Sequence, residues 1–200
     1  MSLACYPTGP VARKLGLLHC SRRTVLFLVK ESEGKAAEIR PNVPVFNYRG
    51  IVSSPDKTVL SAAKSAAHYS CHRLCVAPAN DPSDVRVVVE VVREAGDFPG
   101  LYPTFKGSKD LSWVTNDTLL VQSNCRSSCV LYLVEVLTGK IRRVVKEYGT
   151  WTVLASHGAA VVASFSTHIL PNVVYFTENV TKEPVEWVEV CPTVVSPVLH

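Results

Sequence analysis

Apolar residues enter this chain in short runs, each broken by a polar turn. Val25-Leu26-Phe27-Leu28-Val29 precedes Glu31-Ser32-Glu33-Gly34-Lys35, and Arg73-Leu74-Cys75-Val76 precedes Asn80-Asp81-Pro82. Val130-Leu131-Tyr132-Leu133-Val134 precedes Leu137-Thr138-Gly139-Lys140, and Val173-Val174-Tyr175-Phe176 precedes Glu178-Asn179. Runs this short, rich in branched and aromatic side chains and bounded by Gly, Asn, Asp or Pro, predict strands rather than helices. A second strand follows the turn, as at 85–92 and 141–145. Aligned on Leu26, Leu74, Leu131 and Val174, the runs recur at spacings of 48, 57 and 43 residues.

Three of the runs are preceded by a second shared element. Ser54-Pro55-Asp56-Lys57-Thr58-Val59-Leu60 stands before the second, Trp113-Val114-Thr115-Asn116-Asp117-Thr118-Leu119-Leu120-Val121 before the third, and Ser156-His157-Gly158-Ala159-Ala160-Val161-Val162 before the fourth. In each, a tight turn held by Asp or Asn, or freed by Gly, launches a strand. Strand, turn, strand and connection at a period in the forties to fifties describe propeller blades. A β-sandwich also has short, evenly spaced strands, but four copies of one unit are more than it requires. The expected fold is therefore all-β, a partial β-propeller of about four blade-like antiparallel units. The alanine-rich segment 56–68 could be helical on propensity alone; the repeat predicts a strand there. The expected organisation is a loose segment over 1–13, the propeller portion over 14–191 and a loose tail over 192–200.

Composition agrees with strands. Valine occupies 33 positions, and the chain is 47% hydrophobic and 19% charged, enough to fold around a core. The net charge of +4 is scattered, with Arg22-Arg23 and Arg142-Arg143 as isolated basic doublets; nucleic-acid binders gather positive charge on one face, so no such partner is expected. Residues 148–177 contain no Asp, Glu, Lys or Arg. Polar residues and Pro171 interrupt that stretch before it reaches spanning length, so it predicts buried strands and no membrane partner. Seven cysteines cannot all pair internally, and the apolar patch 15–18 is too short for a secretory signal. The expectation is reduced thiols and a cytoplasmic location.

The candidate chemistry is thin. The sequence has no Gly-x-Ser-x-Gly elbow, the turn that presents the nucleophile of an α/β-hydrolase; Gly107-Ser108 lies between lysines without the second glycine. His68, Cys71, His72 and Cys75 are close in sequence, and Cys125 and Cys129 share a spacing compatible with zinc knuckles. Cysteines on strands serve more often as small buried hydrophobes. Trp113, Trp151 and Trp187 could line a pocket, but filling the gaps between blades is the expectation. No catalytic, cofactor-binding or metal residue is assigned, and no cofactor is expected.

Several segments, in order, resemble the propeller of the acylamino-acid-releasing enzyme (acylaminoacyl-peptidase) family. They are Lys14-Leu15-Gly16-Leu17-Leu18-His19-Cys20-Ser21-Arg22-Arg23, Ser53-Ser54-Pro55-Asp56, Cys71-His72-Arg73-Leu74-Cys75 and Val87-Val88-Val89-Glu90-Val91-Val92. Phe98-Pro99-Gly100-Leu101-Tyr102, Thr138-Gly139-Lys140 and Ala163-Ser164-Phe165-Ser166-Thr167 with Leu170-Pro171 follow. The resemblance runs from about residue 14 to about residue 190. It implies a cytosolic serine peptidase of the prolyl-oligopeptidase clan, which releases N-acylated residues from short peptides and works as a homo-oligomer. It also implies two domains: a propeller that limits access, and a C-terminal α/β-hydrolase domain carrying a Ser, Asp and His triad. That hydrolase domain has no counterpart in these residues, and no catalytic position carries over.

Two readings stand at this point. One is the substrate-gating propeller portion of an acylaminoacyl-peptidase, non-catalytic by itself, whose partners are the hydrolase domain, the remaining blades and N-acylated peptides. The other is a stand-alone propeller-type interaction module. On the first, a partial ring should leave apolar blade faces uncovered and favour association; a stable monomer would favour the second.

Overall fold

Short apolar runs and polar turns give strands throughout. The computed structural model describes residues 2–7, 24–30, 35–39, 47–65, 71–94, 96, 98–102 and 111–191. Among them lie fifteen strands and no helix. The first unit holds β1 (Ser2–Pro7), β2 (Thr24–Lys30) and β3 (Lys35–Ile39) in that spatial order. The second is the meander β4 (Asn47–Ser53), β5 (Val59–Ser65), β6 (Arg73–Pro78) and β7 (Arg86–Val89). The third is β8 (Leu111–Trp113), β9 (Thr118–Cys125), β10 (Ser128–Glu135) and β11 (Ile141–Arg143), and the fourth β12 (Thr150–His157), β13 (Ala160–Ser166), β14 (Val173–Thr177) and β15 (Val188–Cys191). Every pairing within a unit is antiparallel. The four aligned runs are β2, β6, β10 and β14, so the repeat read from the sequence is the repeat of the fold.

The turns follow their chemistry. Gly139 and Gly158 take positive φ of 73° and 54° where β10 gives way to β11 and β12 to β13, a region that costs a Cβ-bearing residue. Segment 56–68 is a turn followed by β5, not a helix; positions 66–68 lie outside the described residues. Two differences are local. Ser2–Pro7, read as part of a loose end, pairs with β2 as β1. The expected strand 85–92 is paired only over Arg86–Val89, and 141–145 only over Ile141–Arg143. Val144 and Val145 leave the ladder yet stay buried: burial, not pairing, is what their apolar character records.

The units stack face to face, and the core lies in the seams between them. Strand β9 shows why. Leu119 and Val121 join Leu74, Val76 and Val89 of the second unit, while Leu120 joins Trp151, Val153, Val161 and Phe165 of the fourth. Alternation sends neighbouring side chains to opposite faces, and here both faces are covered. Hence the continuous apolar run of β10, buried from Ser128 to Val134. Each buried Leu or Val contributes ~1.5–3 kcal/mol, so the seams carry most of the stability. Third and fourth units also share a parallel bridge between Cys129 and Thr150, where the Cys129 N–H donates to the Gly149 carbonyl at 3.0 Å. The uncharged stretch 148–177 contains β12, β13 and all of β14.

Candidate functional site

The three tryptophans singled out in the sequence lie at the seams. Trp113, on β8, buries its ring in the core between second and third units and donates from Nε1 to the Val52 carbonyl on β4 at 3.3 Å. Trp187 donates from Nε1 to the Val144 carbonyl at 3.2 Å, tying the fourth unit to the third. Trp151 packs among Phe165, Tyr175 and Trp187, with ring centroids 4.8, 5.4 and 5.2 Å away. All three indoles fill interblade space. A flat ring covers much apolar area at little entropic cost, and two of the three satisfy their N–H across the joint.

Polar residues add to these contacts: Gln122 and Ser123, which the sequence reading did not single out, and the basic doublet Arg142-Arg143. Gln122, buried on β9, accepts from the Val153 N–H of β12 through Oε1 at 3.0 Å. Ser123, fully buried, accepts from the Tyr102 N–H at 2.8 Å and donates to the Gly100 carbonyl at 3.0 Å. Arg142 spans to the fourth unit, donating to the carbonyls of Thr181 at 2.9 Å and Lys182 at 3.3 Å. Arg143 folds back on its own loop, giving hydrogen bonds to the carbonyls of Val145, Lys146 and Glu147 and lying 4.9 Å from the Tyr148 ring centre. One signal was available: a Gln-Ser pair in the middle of an apolar strand must find partners, because unpaired polar groups are costly in a core.

The launching turns form a second polar layer. Asp56 accepts from the Ser54 hydroxyl and from the Thr58 N–H and hydroxyl. Those bonds, Ser54 first, lower its pKa. Asp117 does the same work one unit on, lowered chiefly by the Thr115 hydroxyl and then by Thr118. The two turns touch, since the Asp56 N–H donates to Asn116 Oδ1 at 3.3 Å. Carboxylates committed to their own turns are structural groups.

The sulfur-bearing candidates separate. Cys71 and Cys75 are both buried. The Cys71 thiol lies against Gly100, whose φ is +111°; a Cβ built there would stand 2.5 Å from Sγ. That contact explains the glycine of Phe98-Pro99-Gly100-Leu101-Tyr102. Tyr102 has its pKa raised, first by burial and then by the adjacent Cys71. Cys125 stands opposite Ser128 and Cys129 opposite Asn124 in the β9–β10 register, so alternation sends the two cysteines to opposite faces of the hairpin. They do not converge as knuckle ligands. Tyr132 shares the Cys125 face; burial first, then the Cys125 thiol, push its phenol up to about 12, against the pull of Arg143. His68 and Gly107-Ser108 lie outside the described residues. Among the described residues no group of three or more His, Cys, Asp or Glu side chains is placed to hold a metal ion.

A model of the family described as acylamino-acid-releasing enzyme, N-terminal domain, matches residues 44–198. Three complete four-stranded units fall within that span. No curated protein matches the chain significantly. Among solved structures, the chain is similar to a protein named as a dipeptidyl aminopeptidase IV from Bacteroides ovatus, with 15% identity and a TM-score of 0.60 over 82% of this chain and 26% of that one. It is similar to the β-propeller domain of the Trilobed protease from Pyrococcus furiosus, which has an open velcro topology: 11% identity, TM-score 0.55, 90% of this chain and 48% of that one. TolB from Acinetobacter baumannii gives 12% identity and a TM-score of 0.52 over 83% of this chain and 37% of that one. At these identities the likeness is one of fold, a β-propeller. The chain spans between about a quarter and about a half of the length of these structures.

Proposed function

The chain belongs to the acylamino-acid-releasing enzyme N-terminal domain family, and from that premise we propose that it is the substrate-gating propeller portion of a cytoplasmic acylaminoacyl-peptidase, a serine peptidase that releases N-acylated residues from short peptides. The chain is non-catalytic by itself. The nucleophile and its base come from a hydrolase domain, and the propeller supplies a wall that admits short peptides and rejects folded proteins. The remaining blades and the hydrolase domain are its partners, in a homo-oligomeric enzyme.

One observation carries the reading. The family match covers three successive four-stranded units in which Trp113, Gln122 and Trp187 bond blade to blade and Trp151 lies in the core that the third and fourth units share. A stack built this way is a rigid wall. A serine hydrolase instead needs an exposed nucleophile on a strained turn, and the sequence has no Gly-x-Ser-x-Gly elbow to provide one.

Two measurements test it. The purified chain should release nothing from an N-acetylated peptide and should leave a fluorophosphonate probe unreacted; stoichiometric labelling of a serine would overturn the non-catalytic role. Grafted in place of the corresponding propeller segment of an acylaminoacyl-peptidase, the chain should preserve turnover of short acylated peptides and exclusion of folded proteins. A chimera that cuts short peptides but also digests folded proteins would overturn the gate.

A further inference from the structure

Laying one unit over the next brings two arginines to the same place. With Leu74 and Leu131 equivalent, Val76 falls on Leu133, and their partners on the fourth strands are Arg86 and Arg142. Each arginine reaches out of its own unit to carbonyls of the following one. Arg86, on β7, donates through Nη2 to the Val136 carbonyl at 2.7 Å. Arg142, on β11, donates to the carbonyls of Thr181 at 2.9 Å and Lys182 at 3.3 Å, and its Nε lies 3.8 Å from the Glu183 carboxylate. The accepting residues also stand in equivalent places, on the connection from third to fourth strand. That connection is pinned within its own unit. The Val136 N–H donates to the Asp117 carbonyl at 2.8 Å, and the Val180 N–H to the Ala159 carbonyl at 2.9 Å. Asp117 and Ala159 both belong to turns that launch a second strand.

We propose that this register position is a latch acting joint by joint: the guanidinium on one unit's fourth strand seizes the anchored turn of the next unit, and its release opens that joint while both units stay folded. The chemistry suits the role. A guanidinium presents its donors in a planar fork, so Arg142 holds two successive carbonyls at once, where an ammonium offers a point charge. Hydrogen bonds from a charged donor are stronger than neutral ones. The Arg142 side chain is 23% exposed, which limits competition from water, whereas the Glu183 carboxylate is 77% exposed and adds little. Release need not spread, because the two seams have separate cores. One gathers Leu74, Trp113 and Leu119, the other Leu120, Trp151 and Phe165. The ladders within each unit run on without either arginine. The same position holds Ala37 in the first unit, opposite Leu28, and Val188 in the fourth, opposite Phe176. Neither alanine nor valine offers a side-chain donor. Among the described units the latch therefore serves two joints, second to third and third to fourth.

Two indoles report on the two joints separately. The Trp113 Nε1–H crosses the first to the Val52 carbonyl, and the Trp187 Nε1–H crosses the second to the Val144 carbonyl. Hydrogen exchange at both, followed by nuclear magnetic resonance on the whole chain under native conditions, tests the latch. Methionine keeps the apolar stem and removes the donors. Arg142→Met should speed exchange at Trp187 by about tenfold or more and leave Trp113 unchanged, and Arg86→Met should do the reverse. Arg142→Lys and Arg86→Lys keep the charge but lose the fork, so they should show smaller effects with the same selectivity. They keep the test decisive if a methionine variant fails to fold. Equal acceleration of both indoles by either substitution would make the arginines general supports of the fold and overturn the proposal. Unchanged exchange at both indoles in both methionine variants would overturn it as well, since the bonds would then hold nothing.

Discussion

Gln122 Oε1 accepts the Val153 backbone N–H at 3.0 Å, across the seam between the third and fourth units. Val153 sits beside a register shift in the β12–β13 ladder, where a strand needs a partner from outside its own sheet. Replacing Gln122 by Leu keeps the volume but leaves that N–H buried and unpaired. The expected loss is about 1–3 kcal/mol of unfolding free energy. Urea denaturation of the wild type and Gln122→Leu measures it; equal midpoints would show that the bond is dispensable.

Gly100→Ala should destabilise by about 1–3 kcal/mol, from the strain of a positive φ on a residue with a side chain. The new Cβ also meets Cys71 Sγ. Adding Cys71→Ala removes that clash but not the backbone strain. The double variant should therefore recover only part of the loss in thermal melts, and full recovery would mean that the contact alone matters.

Tyr132 predicts an alkaline limb. Its phenol ionises near about 12 in the folded chain and near about 10 when unfolded. Between those values the folded state binds more protons than the unfolded state, so stability falls as pH rises. Tyr132→Phe removes that contribution and should flatten part of the limb. Tyr102 and Tyr175, both also raised, contribute to the remainder. Melting temperatures from neutral pH to about pH 12 compare the two proteins, and superimposable limbs would contradict the assignment.

Asp117 predicts the opposite limb. Hydrogen bonds from Thr115 and Thr118 lower its pKa, so its contribution is present above the unfolded value and is lost as pH falls through the folded one. Asp117→Asn should cost little at neutral pH, since the group is exposed, and should give a shallower acid limb in melts followed downward from pH 7. An acid limb as steep as that of the wild type would place the acid sensitivity elsewhere.

The sequence by itself determined the repeat. Runs at Leu26, Leu74, Leu131 and Val174 became β2, β6, β10 and β14, because short apolar runs and turn chemistry are local and leave their mark within a few residues. The uncharged stretch was legible as strands, but not as buried ones throughout: β13 is buried on one face and β12 is exposed from Leu154 to His157. Tertiary structure alone decided which partners meet. Only the seam gives Gln122 its acceptor role toward Val153, Gly100 its contact with Cys71 and Trp187 its bond to Val144, since each joins residues far apart in the chain. It also parted Cys125 from Cys129, whose sequence spacing suggested a pair, because alternation on a hairpin turns them to opposite faces.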